Sequence, residues 1–234
     1  MRFETHSYPN MGGSVPNEDA AGYCGDDNRC LWVLCDGLGG HVAGEAASNL
    51  AVNEMLEAFS SGIPASPADL APAIERVNGK VRALGGPLTT IVTAFQSGGV
   101  LSVANVGDSR LYFFRGGRLA SVTTDHSVAF ADYCMQKVKY PDIRFHPERS
   151  SLMKALGVKE PVGVQCYPSF PLFPGDAFLL CSDGFWEYVF ETEMEIDLLK
   201  SDSPDSWVDR MLVRAAARIP SDNDNMTVLA VFVK

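Results

Sequence analysis

Twice in this chain a short apolar run ends in an acid followed by glycine: Leu31-Trp32-Val33-Leu34-Cys35-Asp36-Gly37 and Phe178-Leu179-Leu180-Cys181-Ser182-Asp183-Gly184. Apolar runs of about five residues without polar alternation have the length and pattern of strands buried on both faces. A chain with two of them must cover both faces of its sheets. Each such strand also carries its terminal carboxylate to a sheet edge, and the glycine after it lets backbone carbonyls come close to whatever that acid binds. One isolated Asp-Gly is more simply a hairpin turn. Two, after matching strands, point beyond turn chemistry.

The rest of the chain supplies covering layers. From 42 to 60 the apolar residues Ala46, Leu50, Val52, Met55, Leu56 and Phe59 recur at helical spacing, until Gly62-Ile63-Pro64 breaks the pattern. A second helix is predicted over 67–83, with Ser66 as its N-cap. Strands are predicted at 2–8, 20–25, 88–96, 100–106, 110–115 and 118–122. The last four are punctuated by Gly98-Gly99, Gly107-Asp108 and Gly116-Gly117, which reads as an antiparallel meander. Further strands are expected at 162–168, 177–181 and 227–233, and helices at 191–199 and 204–218. Residues 127–150 are the least regular and are expected to form a mobile insertion. The 234 residues suit one domain spanning 1–234, of α+β class, with sheets covered by helix pairs.

Charge narrows the partners. With 19 Lys+Arg against 29 Asp+Glu the net charge is −10, which argues against nucleic acid or an anionic membrane surface. No apolar stretch approaches the roughly 18 residues of a membrane helix, and the start Met1-Arg2-Phe3-Glu4-Thr5-His6 has no apolar core of a secretory signal. The six cysteines form no C-x-x-C pair, and Cys35 and Cys181 sit in apolar runs as reduced thiols do. A soluble, cytoplasmic protein is expected.

Other acids also gather at strand boundaries: Glu18 and Asp19 in Asn17-Glu18-Asp19, Asp224 in Asp222-Asn223-Asp224-Asn225, and singly Asp108 and Asp125. Should these ends converge, so many carboxylates require a cation between them. Oxygen donors without thiolate or clustered imidazole favour Mg²⁺ or Mn²⁺ over Zn²⁺. The histidines His6, His41, His126 and His146 show no zinc-hydrolase spacing. The glycine-rich stretch at 37–44 fails as a dinucleotide loop, because Val42 stands where glycine is needed. It fails as a P-loop too, because Glu45 stands where lysine is needed. No G-x-S-x-G elbow is present, so no nucleophile for a covalent mechanism stands out.

The ordered set of motifs resembles the metal-dependent serine/threonine protein phosphatases of type 2C in their compact bacterial form. It comprises Asn17-Glu18-Asp19-Ala20, Asp36-Gly37-Leu38-Gly39-Gly40-His41 with Ala43-Gly44-Glu45, Thr89-Thr90, and Ala104-Asn105-Val106-Gly107-Asp108-Ser109-Arg110. It continues with Thr124-Asp125-His126-Ser127, Ala155-Leu156-Gly157, Leu180-Cys181-Ser182-Asp183-Gly184 and Asp224-Asn225-Met226-Thr227-Val228. Each motif alone is weak, and their order over nearly the whole chain is specific. The resemblance implies a four-layer α-β-β-α sandwich of two antiparallel sheets flanked by helix pairs. It implies two Mn²⁺ or Mg²⁺ ions bridged by Asp36, with Asp183 and Asp224 on one ion and Glu18 or Asp19 with the Gly37 carbonyl on the other. Asp125 matches the position of a third, weaker ion, and 127–150 that of a variable flap influencing substrate choice.

The implied reaction is hydrolysis of phosphoserine or phosphothreonine by in-line attack of a metal-bridging hydroxide. Phosphorylated proteins, the targets of a Ser/Thr kinase or the kinase itself, are the implied substrates. His41 is either the proton donor to the leaving group or a cap for the following helix. An arginine that the family often carries four residues before the first acidic ligand is Ser14 here. Arg110 reads as a structural ion-pair residue rather than its replacement, and Asp108 as an acid that holds its own turn. Trp32, Trp186 and Trp207 read as core anchors. A catalytically weak regulator, or a phosphatase of a small phosphomonoester, are the competing readings.

Overall fold

A computed structural model describes residues 1–10, 12, 17–38, 42–219 and 223–234. It begins with β1 (Phe3–Asn10), β2 (Asp19–Gly25) and β3 (Arg29–Leu38), followed by helices α1 (Val42–Ser60) and α2 (Leu70–Arg82). Five strands come next: β4 (Leu88–Thr89), β5 (Ile91–Ser97), β6 (Val100–Val106), β7 (Arg110–Arg115) and β8 (Arg118–Val122). Helix α3 (Val128–Cys134) precedes the short strands β9 (Gln165–Cys166) and β10 (Phe170–Pro171), then β11 (Ala177–Cys181). Helices α4 (Asp183–Trp186), α5 (Glu191–Leu198) and α6 (Pro204–Ala216) lead to β12 (Met226–Val233).

Two antiparallel sheets result. One runs β1-β12-β11-β7-β8, the other β10-β6-β5-β3-β2, with β4 beside β3 and β9 beside β6. Side chains alternate across a strand, so each central strand feeds two different cores. Leu31, Val33 and Cys35 of β3 pack with Ala47, Met55 and Ile74 of the first helix pair. Trp32 and Leu34 point the other way, onto Phe178, Leu180 and Val231 of the facing sheet. Leu179 and Cys181 of β11 then meet Trp207 and Met211 of the second helix pair. Burial on both faces explains why these strands show no polar alternation. The layers are helices, sheet, sheet, helices.

The three tryptophans anchor these cores and are fully buried. Each indole N–H finds an acceptor: Trp32 in Thr5 Oγ1, Trp186 in the Asp108 carbonyl and Trp207 in the Met194 carbonyl, all at 3.0 Å. Among the described residues all six cysteines are free thiols, and no helix is long and apolar enough to cross a membrane.

Three expectations need correction. The meander is split: β5–β6 and β7–β8 are hairpins in different sheets, and the Gly107 turn crosses between them. Gly107 has φ +105°, and a Cβ there would press on Thr90. Both β6 and β7 turn apolar residues into the sheet–sheet core, Leu101 and Val103 against Leu111 and Phe113, so β7 stacks over β6 rather than beside it. The strand expected at 162–168 shrinks to Gln165–Cys166. Its start is captured instead by Glu75 of α2, whose carboxylate accepts the amides of Val162 (3.1 Å) and Gly163 (3.0 Å).

Within 127–150, finally, Ser127 caps α3 by accepting the Phe130 amide, and a 3₁₀ turn spans Tyr140–Phe145. Arg144 ties that turn down, donating to the carbonyls of Trp186 (2.6 Å) and Val189 (3.1 Å) and to both oxygens of Glu191. The segment is far more regular than its sequence suggested.

Candidate metal centre

The acids at the strand ends come together because the two sheets place those ends side by side. Asp19 and Asp36 are direct partners in the β2–β3 register. Asp36 is held through its backbone: its amide donates to Thr90 Oγ1 (2.9 Å), and its carbonyl accepts the Thr90 amide and the Thr89 hydroxyl, each at 2.8 Å. That is what the Thr89-Thr90 pair does. Across the sandwich, Ser182 joins the sheets. Its hydroxyl donates to Asp19 Oδ2 (2.7 Å) and accepts the Thr227 amide (3.0 Å), just before Asp183 opens α4. Asn225 makes a second tie, its Oδ1 accepting the Glu18 amide at 2.8 Å.

Glycines make these approaches possible. A Cβ on Gly184 would run into the Asn225 carbonyl, and one on Gly44 into the Glu18 carboxylate. A Cβ on Gly37 would meet the carbonyls of Gly44 and Glu18. The Asp-Gly pairs are therefore requirements of packing around the acids, not hairpin turns.

The carboxyls feel one another strongly. Burial, followed by Asp19, Asp183, Asp108 and Asp224, pushes Asp36 well above the usual carboxylate range. Asp183 is raised well above it by burial and then by Asp108 and Asp224. Asp19 is pushed up to about 7 by burial, opposed by its Ser182 hydrogen bond, and Asp108 to about 7 by burial and then by Asp125. Asp183 Oδ1 is buried with no hydrogen-bond partner. Among the described residues no three carboxyl, thiol or imidazole groups converge on one coordination point, as like charges splay apart. An orphaned buried oxygen among mutually repelling carboxyls, with oxygen as the only donor type, fits a hard divalent cation.

Stability should follow from these values. Asp19 and Asp108 sit near 7 in the fold against 3.8 when unperturbed, so the fold holds protons that the unfolded chain has released. That stabilisation is complete below about pH 4 and is lost as the pH rises through 7. His126 acts in the opposite direction, since burial and then Lys154 lower its value, but it is one group against four. Melting temperatures in EDTA are expected to fall from about pH 5 to about pH 8. A flat or rising profile would contradict the buried acid cluster.

Asp125 requires a correction. Both of its oxygens accept from Arg110, at 2.8 Å from Nε and 2.6 Å from Nη2, and both side chains are buried. Arg110 also donates to the Tyr112 hydroxyl (2.8 Å) and lies 3.6 Å over the Trp186 ring. The geometry makes Asp125 the counter-ion of Arg110 rather than a metal ligand, and Arg110 is structural, as its turn suggested. Asp108 is the acid whose turn-holding role told only half the story. It hydrogen-bonds its own amide as expected, and its field is also the nearest acidic influence on Asp183. Its place at the end of β6 was the available signal.

His126 also carries more than its sequence setting indicated. Its Nδ1 accepts the Gly107 amide (3.1 Å) and its own amide donates to the Gly107 carbonyl (2.9 Å), clamping the turn that presents Asp108. Nε2 faces Gln165 Oε1 at 3.2 Å. His41 and Ser14 lie outside the described residues.

With this geometry in place the comparisons are decisive. A family model described as "Protein phosphatase 2C" matches residues 10–226. The chain belongs to the protein phosphatase 2C family. Among its relatives, the serine/threonine phosphatase stp of Listeria welshimeri is 34% identical over 229 residues, covering 92% of this chain and 89% of that protein. The protein phosphatase PstP of Mycobacterium tuberculosis is 31% identical over 183 residues, 72% of this chain and 33% of its own length. The solved structure of Stp1 from Staphylococcus aureus superposes with a TM-score of 0.89 at 27% identity, covering 100% of this chain and 96% of that one.

Proposed function

We propose that this phosphatase-family enzyme hydrolyses phosphoserine and phosphothreonine in proteins with two divalent cations, Mn²⁺ or Mg²⁺. The observation that carries the reading is the partnerless buried Asp183 oxygen among the coupled carboxyls of two facing sheets. Asp36 is the residue to bridge both ions. Asp183 and Asp224 serve one of them, and Glu18 or Asp19 with the Gly37 carbonyl serves the other. A third position falls to Asp108 with Asp183. Such cations supply Lewis acidity, activating water and neutralising phosphoryl oxygens for in-line displacement.

The protein's own groups set the stage for that chemistry. Thr89 and Thr90 hold the Asp36 backbone, Ser182 holds Asp19, and His126 holds the Asp108 turn. The low-dielectric surroundings make the acids bind cations more strongly than exposed carboxylates would. His41 is the titratable group of its motif for protonating the departing oxygen. Segment 127–150 borders the acids and is the natural determinant of substrate choice. Ser/Thr kinase targets, or the kinase itself, suit the activity class, and the free thiols suit a reducing compartment such as the cytoplasm.

Hydrolysis of a phosphothreonine peptide with Mn²⁺, with EDTA and with Asp36→Asn tests the proposal. Activity is expected only with Mn²⁺ and the native acid. Turnover that survives EDTA would sink it, and inactivity under every condition would favour a regulator. Activity on aryl phosphates alone would favour a small-molecule phosphatase.

A further inference from the structure

Beside the acids lies a pocket of about 290 Å³ lined by Asp183, Glu187, Asp224 and, as its one cation among the described residues, Arg149. Arg149 stands on a pinned stretch of chain. The Arg149 amide donates to the His146 carbonyl (3.1 Å), the Val128 amide to the Ser151 carbonyl (2.9 Å), and the Met153 amide to the His126 carbonyl (2.7 Å). Its Nε donates to Glu187 Oε1 at 2.6 Å. Glu187 in turn follows Asp183 by one helical turn, its amide bonded to the Asp183 carbonyl at 3.0 Å, so both carboxylates share a face.

Only Nε of this guanidinium is engaged among the described residues, which leaves Nη1 and Nη2 uncommitted. The neighbouring arginines are spent. Arg110 is saturated by Asp125 and Tyr112, Arg144 by Glu191 and two carbonyls, and Arg218 by Glu193 and the Tyr188 carbonyl. A half-exposed pair made through Nε alone contributes little to folding, so stability does not explain why a cation is kept beside acids. A planar fork with two free donors matches two oxygens of a phosphoryl group.

We infer that Arg149, aimed by Glu187, binds the phosphoryl group of the substrate at the mouth of the acid cluster. Arg149 touches substrate, and Glu187 is a positioning residue. The inference rests on the phosphatase reading. It also revises the expectation that metals alone would position the phosphate.

Arg149→Lys provides the sharpest test, because it keeps the charge and can keep the Glu187 pair while losing the fork. KM for a phosphothreonine peptide and the calorimetric Kd of inorganic phosphate on Mn²⁺-loaded protein should each rise about ten- to hundredfold. The value of kcat should stay within about threefold. Glu187→Gln should raise both constants by a smaller factor and leave the melting temperature nearly unchanged. Unaltered KM and phosphate affinity in Arg149→Lys would overturn the inference. So would an effect of Arg149→Ala confined to melting temperature. A wild-type protein that cleaves no phosphothreonine peptide with Mn²⁺ would remove the phosphatase reading itself, whereas an active wild type with an indifferent Arg149→Lys removes only the role of Arg149.

Discussion

Asp183→Asn is expected to abolish turnover and at the same time make the metal-free protein more stable. The two effects share one cause. Asp183 is held well above the ordinary carboxylate range by burial and by Asp108 and Asp224, and one of its oxygens has no donor. An amide of the same shape removes the repulsion and offers its acidic neighbours a hydrogen-bond donor. In EDTA near neutral pH the gain should be about 1–3 kcal/mol, the size of a buried polar group released from its penalty. For a chain of 234 residues this is roughly 2–12 °C in melting temperature. Losing one ligand of the proposed pair of cations should cost several kcal/mol of transition-state stabilisation, or about a thousandfold in kcat. Mn²⁺ should stabilise the wild type far more than the variant. A variant less stable than wild type in EDTA, or one that still turns over normally, would refute the assignment.

Arg110→Met is expected to be the most destabilising single change near the site. It strips both hydrogen bonds from Asp125 and leaves that carboxylate buried beneath Trp186 with no partner. Breaking a buried pair from one side costs about 3–5 kcal/mol, well above the worth of the pair itself. Melting should fall by roughly 6–20 °C. Adding Asp125→Asn should recover part of the loss, because it removes the stranded charge, and the cycle measures the coupling. Had Arg110 been the phosphate-binding arginine, Arg110→Met would raise KM and spare the melting temperature. That outcome would exchange the roles of Arg110 and Arg149.

Much of the architecture could be read before folding because it rests on local periodicity. The runs ending in Asp36 and Asp183 lack polar alternation, which only strands covered on both faces tolerate, and the helix over 42–60 has the boundaries of α1. What went unread had long-range causes. Glu75 takes the backbone that would have extended β9, and the Gly107 crossover turns one expected meander into two hairpins. Arg144 orders a segment whose own residues show no strong pattern, through acceptors about forty-two to forty-seven positions away.

The candidate site divides along the same line. Sequence alone determines that acids stand at strand ends, that glycine follows two of them, and that no thiolate or clustered imidazole competes as a ligand. Those are properties of residue type and spacing, and they suffice for a family and a class of cation. Only the packed fold decides which acids remain unneutralised. Asp125 is answered by Arg110 and leaves the set, whereas Asp108, one turn away, faces Asp36 and Asp183 and joins it. The charge on a carboxylate is set by its neighbours in space, and Glu187 and Arg149, 38 residues apart, become a single device only once the chain has folded.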